Sequence, residues 1–242
     1  MRAADRIIDY TAHTESGGRY DAWNPDDNGH GASYGLIQFN QRVGTLPQVL
    51  KGMYEADPDQ FESIFGSYAA SMSDPAWVKA ANLNVPAIAT YSRGVLTGGA
   101  MYRASQVPEF QAVQRAWAKS GYFDPAVAAA KAVGLQSERA MAMLYDTSVQ
   151  WGDGSMRTFL LHAIESFGGR PVAEKEVLTK FASLADGTKY TRRTKILNDS
   201  SLSDDAFDSV MSALADADEA SVYAVAAAVA GAALLLWWVI RR

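Results

Sequence analysis

Two short stretches near the start of the chain, His13-Thr14-Glu15-Ser16-Gly17-Gly18 and Ser33-Tyr34-Gly35-Leu36-Ile37-Gln38-Phe39-Asn40, decide how the rest is read. Ahead of the first, Ile7, Ile8 and Thr11 share one side of a helix spanning 2–14, and Gly17-Gly18 stops it. Glu15 therefore falls at the carbonyl end of that helix, where partial negative charge favours a carboxyl group that keeps its proton, as a general acid must. Between the two stretches, residues 21–32 (DAWNPDDNGHGA) are rich in Pro, Gly, Asn and Asp and read as a loop carrying Asp26 and Asp27. The second stretch, 33–40, is apolar and aromatic and predicts a brief strand or hairpin arm. One glutamate on a helix and carboxylates on a neighbouring β-loop can flank a sugar bond from both faces. The plainer alternative is a solvated helix-end Glu15, with Asp26 and Asp27 serving only the turn around Pro25.

Beyond residue 45 the periodicity is helical, with helices expected over 46–56, 58–65, 74–81, 108–119, 125–133, 137–151, 155–167 and 171–185. Asp124 before Pro125 and Ser137 read as N-caps, and Gly98-Gly99 as a flexible loop. The fold class is mainly α, an α+β body with a small β-hairpin near the N-terminus. Residues 1–199 form that body, 200–220 an acidic stalk, and 221–242 a single C-terminal transmembrane helix.

Val222–Ile240 is a 19-residue run without a charge, preceded by Asp216, Asp218 and Glu219 and followed by Arg241-Arg242. At about 1.5 Å per residue it spans roughly 29 Å, the thickness of a bilayer core. Tyr223 and Trp237-Trp238 sit where interfacial aromatics belong. The charge asymmetry favours a C-terminus facing the cytoplasm. The N-terminal residues lack an apolar stretch, so no secretory signal is expected. Export without a signal suits a virion with an internal membrane, or else a bacterial inner membrane with the body facing the periplasm.

The net charge of −5 follows the same division: residues 1–199 hold 20 basic and 21 acidic side chains, and 200–242 hold 2 and 6. A near-neutral body argues against a nucleic-acid partner. Without cysteine, and with only His13, His30 and His162 as histidines, neither a thiolate nucleophile nor a metal or other cofactor site is expected. His13 reads as packing and His30 as a solvated loop residue. Trp23, Tyr34, Trp117 and Trp151 are candidates for stacking on sugars, or simply core.

Glu15-Ser16-Gly17 followed by Gly35-Leu36-Ile37-Gln38 resembles the paired Glu-Ser and Gly-Leu-x-Gln motifs of lytic transglycosylases in the lysozyme-like superfamily. The stretch from Glu109 to Gly152 is similar to the family 46 chitosanases and their muramidase relatives. It includes Gly121–Val127, Ala129–Leu135 and Leu144–Gly152. The resemblance implies a lysozyme-like fold with Glu15 as the catalytic acid and Ser33 where the chitosanases hold the attacking water. It places Tyr34, Gln38, Tyr145 and Gln150 against substrate, and Asp146 in a charge network, with Arg192 or Arg193 as its cation. The chitosanase base aligns without gaps on Asn28, so Asp27 or Asp26 can replace it only if the loop shifts.

These readings together predict a membrane-anchored glycosidase. It would cut the MurNAc–GlcNAc strand of peptidoglycan as a lytic transglycosylase or muramidase, bind a bilayer through 222–240, and sit with other virion membrane or vertex proteins to breach the cell wall. A glycan-binding or structural protein on the same fold, and a chitosanase, are the alternatives. Against the latter stands the absence of surplus acidity for a polycationic substrate.

Overall fold

A computed structural model describes residues 3–169 and 172–204. Packing divides the described residues into two compact units, one of Ile8–Gly121 and one that joins 3–7 to the described residues from 122 to 204.

In the unit Ile8–Gly121, most of helix α1 (Ala3–Ser16) leads into a three-stranded antiparallel sheet of β1 (Trp23–Asn24), β2 (Ser33–Tyr34) and β3 (Phe39–Asn40). Its register pairs Trp23 with Tyr34, Asn24 with Ser33, and Ser33 with Asn40. The expected hairpin arm is thus two short strands joined by the turn 35–38, with a third strand drawn from the predicted loop. Helices α2 (Thr45–Ala56), α3 (Pro58–Phe65), α4 (Ala69–Met72) and α5 (Pro75–Ala80) follow. The starts of α3 and α5 are written locally: Asp57 accepts from Gln60 N at 2.9 Å and Asp74 from Ala76 N at 2.9 Å, each with proline in the first turn. Leu46, Val49, Leu50 and Met53 form the buried stripe of α2. Phe61 packs on Phe65 and Phe110 with ring centroids 4.3 and 6.1 Å away. Burial of each such side chain contributes about 1.5–3 kcal/mol.

A second hairpin, β4 (Thr90–Ser92) and β5 (Val95–Gly98), and helix α6 (Gly99–Ser105) occupy the region expected to be a flexible loop. Gly99 (φ +84°) begins α6 because a Cβ there would meet the Ile88 carbonyl oxygen at 2.5 Å. The two glycines mark a close backbone approach, with Ala100 N on Ala87 O and Met101 N on Ile88 O, and not a hinge. Helix α7 (Pro108–Ala118) completes the unit.

The other unit is built on α8 (Asp124–Ala132), α9 (Glu138–Glu165), α10 (Glu174–Ser183) and α11 (Gly187–Asn198). The expected break within α9 is present as a kink at Gly152 (φ 81°, ψ 159°). Ser137 caps α9, accepting from Ala140 N at 3.0 Å. Asp124 does not cap α8: it is the first helical residue, and Phe123 takes the cap position after a π turn over Lys119–Phe123. Helix α11 was not foreseen, because its polar and basic residues give it a weak apolar stripe; only Arg193 and Ile196 are buried.

The chain leaving α11 is strapped to the start of α9. Arg139 donates to the carbonyls of Ile196, Asp199 and Leu202 and to Asp204, while Glu138 accepts from Ser203 N and pairs with Arg6. Among the described residues no helix is long and apolar enough to cross a membrane. The stalk beyond residue 204 and the predicted anchor over 222–240 lie outside the described residues.

Candidate active site

Glu15 occupies the last turn of α1, half-buried. Gly17 and Gly18 (φ +68° and +76°) end the helix by turning their N–H groups back onto His13 O and Ala12 O, both at 3.1 Å. Ser16 Oγ reaches across to the Leu36 carbonyl at 2.6 Å and accepts from Arg19 N. The Glu-Ser and Gly-Leu-Ile-Gln segments are therefore joined directly.

The loop before β2 fixes one carboxylate. Asp27 N donates to Gly31 O, His30 N to Asp27 O, and Asn28 and Gly29 take left-handed φ values of 52° and 82°. Gln41 holds the loop's end: its Oε1 accepts from Ala32 N at 3.0 Å while its amide donates to Val78 O and Ala81 O. Asp27 Oδ2 then accepts from Ser33 Oγ (3.0 Å) and Asn40 Nδ2 (3.3 Å), and Asn40 Nδ2 also reaches Ser33 Oγ at 3.1 Å. Ser33 and Asn40 are cross-strand partners, so one register sets both donors on the same carboxylate.

The structure places the three candidates left open by the sequence in different surroundings. Asp26 is exposed and spends Oδ1 on Gly29 N. Asn28 is exposed in a conformation that asparagine tolerates, and donates to Asp27 Oδ1. Asp27 alone is brought to Ser33. Asn40 was missed by the sequence reading, since only the sheet register points it at a residue thirteen positions back.

The expected substrate contacts are placed differently: Ser33 is fully buried, so its hydroxyl orients Asp27 and meets neither water nor sugar. Tyr34 is fully buried with its hydroxyl 3.3 Å from Met101 O, and Tyr145 is fully buried with its ring against Phe123. Both are core residues that present no face to a sugar. Trp23 is buried between Tyr34 and Tyr91; Trp117 is half-buried, and its ring would obstruct a Cβ at Gly121. Gln38 is half-buried in a left-handed conformation, its amide on Gly35 O. His13 and His30 are exposed.

In the unit containing α9 and α11, Asp146 is 1% exposed and forms a charge-assisted cluster. Gln150, one turn on, donates to Oδ2 at 2.7 Å, and Arg192 donates through Nε at 2.9 Å and through Nη2 to Oδ1. Consecutive residues on a helix point about 100° apart, so Arg193 takes a different environment from its neighbour. Its guanidinium lies 4.8, 4.7 and 4.5 Å from the ring centroids of Trp151, Phe159 and Phe181 and donates to Phe181 O. Burial pushes Arg193 down to about 10, partly offset by the negative charge of Asp146. The pair left open as "Arg192 or Arg193" is resolved: Arg192 grips Asp146, and Arg193 fills an aromatic box. Lys189 Nζ covers the Trp151 ring at 4.1 Å. Among the described residues no group of three or more His, Cys, Asp or Glu side chains could hold a metal ion.

Glu15 at the end of α1 and Asp27, held by a hydroxyl and an amide, are the two residue types that hydrolysis of a glycosidic bond employs. Residues 95–221, more than half of the sequence, match the family model of glycosyl hydrolase family 46, and the chain belongs to that family. It is a glycosidase on a lysozyme-like fold. The matched segment holds the Asp146 cluster; Glu15 and Asp27 precede it. The native chitosanase of Bacillus subtilis MY002 superposes with a TM-score of 0.59 at 22% identity, covering 80% of this chain and 82% of its own. The family 46 chitosanase of Gynuella sunshinyii, solved with chitotetraose, gives 0.56 at 22% identity over 81% and 84%. These similarities are of fold. No curated protein sequence matches the chain significantly.

Proposed function

We propose that the chain hydrolyses strands of β-1,4-linked amino sugars, chitosan first among them, with Glu15 as acid and Asp27 as base. The observation that carries this reading is the Asp27–Ser33–Asn40 arrangement, because cleavage without water as nucleophile needs no second carboxylate. Glu15 gives its proton to the bridging oxygen as the glycosidic C–O bond breaks and its electron pair goes to that oxygen. A water beside Asp27 bonds to the anomeric carbon and loses its proton to that carboxylate, which the buried Ser33 hydroxyl and the Asn40 amide hold in place. Solvent then resets both carboxyl groups.

Family membership supports a glucosamine polymer, and so does charge. The near-neutral body conceals an imbalance: residues 8–121 carry 11 acidic and 8 basic side chains, a surplus of −3 in the part that bears both carboxylates. Reducing ends released from soluble chitosan by the wild type test the reading. Asp27→Asn should lower the rate by about 10²–10⁴-fold, and Glu15→Gln should fall to background. Full activity in Glu15→Gln would sink it.

A second reading, peptidoglycan cleavage, is favoured by the direct Ser16–Leu36 tie between the two transglycosylase-like motifs. Muropeptides from purified sacculi identify it: anhydro ends mean transglycosylation, reducing muramic acid means hydrolysis. On this reading Val222–Ile240 anchors the enzyme in a virion or bacterial inner membrane, beside other virion membrane proteins, for cell-wall penetration. Co-flotation of the full chain with liposomes tests the anchor, and release to the soluble fraction counts against it.

A further inference from the structure

Glutamine 114 lies on α7, nearly a hundred residues after Glu15, in no motif of the sequence. It is nonetheless a fully buried polar side chain aimed at the segments that hold the acid. Its Oε1 accepts from Leu36 N at 2.9 Å, and its Nε2 lies 3.5 Å from the Tyr20 carbonyl. The carbonyl of the same Leu36 accepts from Ser16 Oγ at 2.6 Å, and Ser16 adjoins Glu15 in the chain. Tyr20 stands just past the Gly17-Gly18 stop, so Gln114 touches the chain on the far side of that turn as well.

Its neighbour extends the grip. Arg115 Nε donates to the Tyr20 hydroxyl at 2.5 Å and its Nη2 to Asp9 on α1 at 2.7 Å. Gly35 is shaped around the same side chain. It holds φ +78°, and a Cβ there would stand 2.1 Å from Gln114 Oε1. A buried glutamine with no room beside it, bonded to backbone on two segments, is an expensive way to fill space when a leucine would pack without polar atoms to satisfy.

We infer that Gln114 is a positioning residue for the acid: by fixing Leu36 it fixes Ser16, and through Ser16 the direction in which Glu15 presents its carboxyl group. The inference rests on Glu15 being the acid, as proposed above. Catalytic groups must be held within about half an ångström of the productive geometry, so a loosened Leu36 is read in turnover before it is read in binding.

The test uses the full chain and the glycan that the wild type cleaves. Glu15→Gln serves as a separate control: if it stays active, the reading of the site fails, whatever Gln114 does. Gln114→Met keeps the side chain's length and removes the acceptor. It should lower kcat at least tenfold with KM within twofold, and move the alkaline limb of the pH–rate profile, which reports the acid. Gln114→Glu restores an acceptor to Leu36 N and should recover most of kcat. Ser16→Ala should resemble Gln114→Met, and the double variant should be no slower than the slower single, because both act on one element. A Gln114→Met enzyme with kcat within twofold of wild type, or losses that multiply in the double variant, would overturn the proposal. Should Gln114→Met not fold, Ser16→Ala decides: reduced kcat at an unchanged melting temperature supports the relay, and unchanged kcat overturns it.

Discussion

Replacing Arg192 by methionine removes the guanidinium that grips Asp146, a carboxylate 1% exposed on α9. Breaking a buried pair by deleting one member costs about 3–5 kcal/mol, because the remaining charge stays out of water. Three features of the site place the loss at the low end of that range. Gln150 still donates to the carboxylate at 2.7 Å, and the charge of Arg193 still acts on it. Arg192 itself is 19% exposed, so part of its own desolvation is recovered when it is removed. A loss of about 3 kcal/mol corresponds to a fall in melting temperature of roughly 6–12 °C for a chain of this size. Denaturant titration and thermal unfolding followed by circular dichroism measure both quantities. The decisive comparison is the double variant Asp146→Leu with Arg192→Met, which leaves no charge to strand and should lose less than the single variant. A single variant within 1 kcal/mol of wild type, or a double variant weaker than Arg192→Met alone, would show that the pair is screened by water and the reasoning false.

Other outcomes follow from the same structure. Arg139→Met should destabilise by about 2–4 kcal/mol. Hydrogen exchange should accelerate at 199–204, where its guanidinium holds the carbonyls of Asp199 and Leu202 and the Asp204 carboxylate; unchanged exchange there would contradict the strap. Burial, reinforced by the charge of Asp21, pushes the Tyr34 phenol well above its ordinary value of 10.0, against a smaller opposite effect of the Gln114 hydrogen bond. The unfolded chain therefore releases a proton above about pH 10 that the folded chain keeps. Stability should fall by about 1.4 kcal/mol per pH unit there relative to Tyr34→Phe, as read from denaturant midpoints. Gly35→Ala should lose about 2–4 kcal/mol, combining backbone strain at φ +78° with displacement of Gln114, and its kcat should drop with that of Gln114→Met.

Much of this was legible in local signals. Ser137 announced a helix start because a cap bonds to backbone two or three residues away, and helical periodicity placed the helices near 58–65 and 74–81. The break near Gly152 was readable because a glycine interrupts an apolar stripe. Asp124-Pro125 misled for a related reason: the same residue pair fits the cap and the first helical position, and a π turn over the preceding residues chose the latter. The second hairpin escaped notice because Thr90–Ser92 is exposed throughout, so no alternation marks it.

The sequence by itself determined that a glutamate ends a helix before two glycines, that carboxylates follow on a turn-rich loop, and that the chemistry needs no cysteine. Those facts depend on neighbours in the chain. Only tertiary structure could decide that Asp27, not Asp26 or Asn28, meets Ser33, because a left-handed Asn28 and the Ser33–Asn40 register aim it there. The same holds for Arg192 over Arg193 at Asp146, separated from it by 46 positions, and for Gln114 beneath Leu36, separated by 78. A hydrogen bond between distant residues leaves no periodicity in either segment, and its direction is fixed only when the backbone that carries both partners is in place.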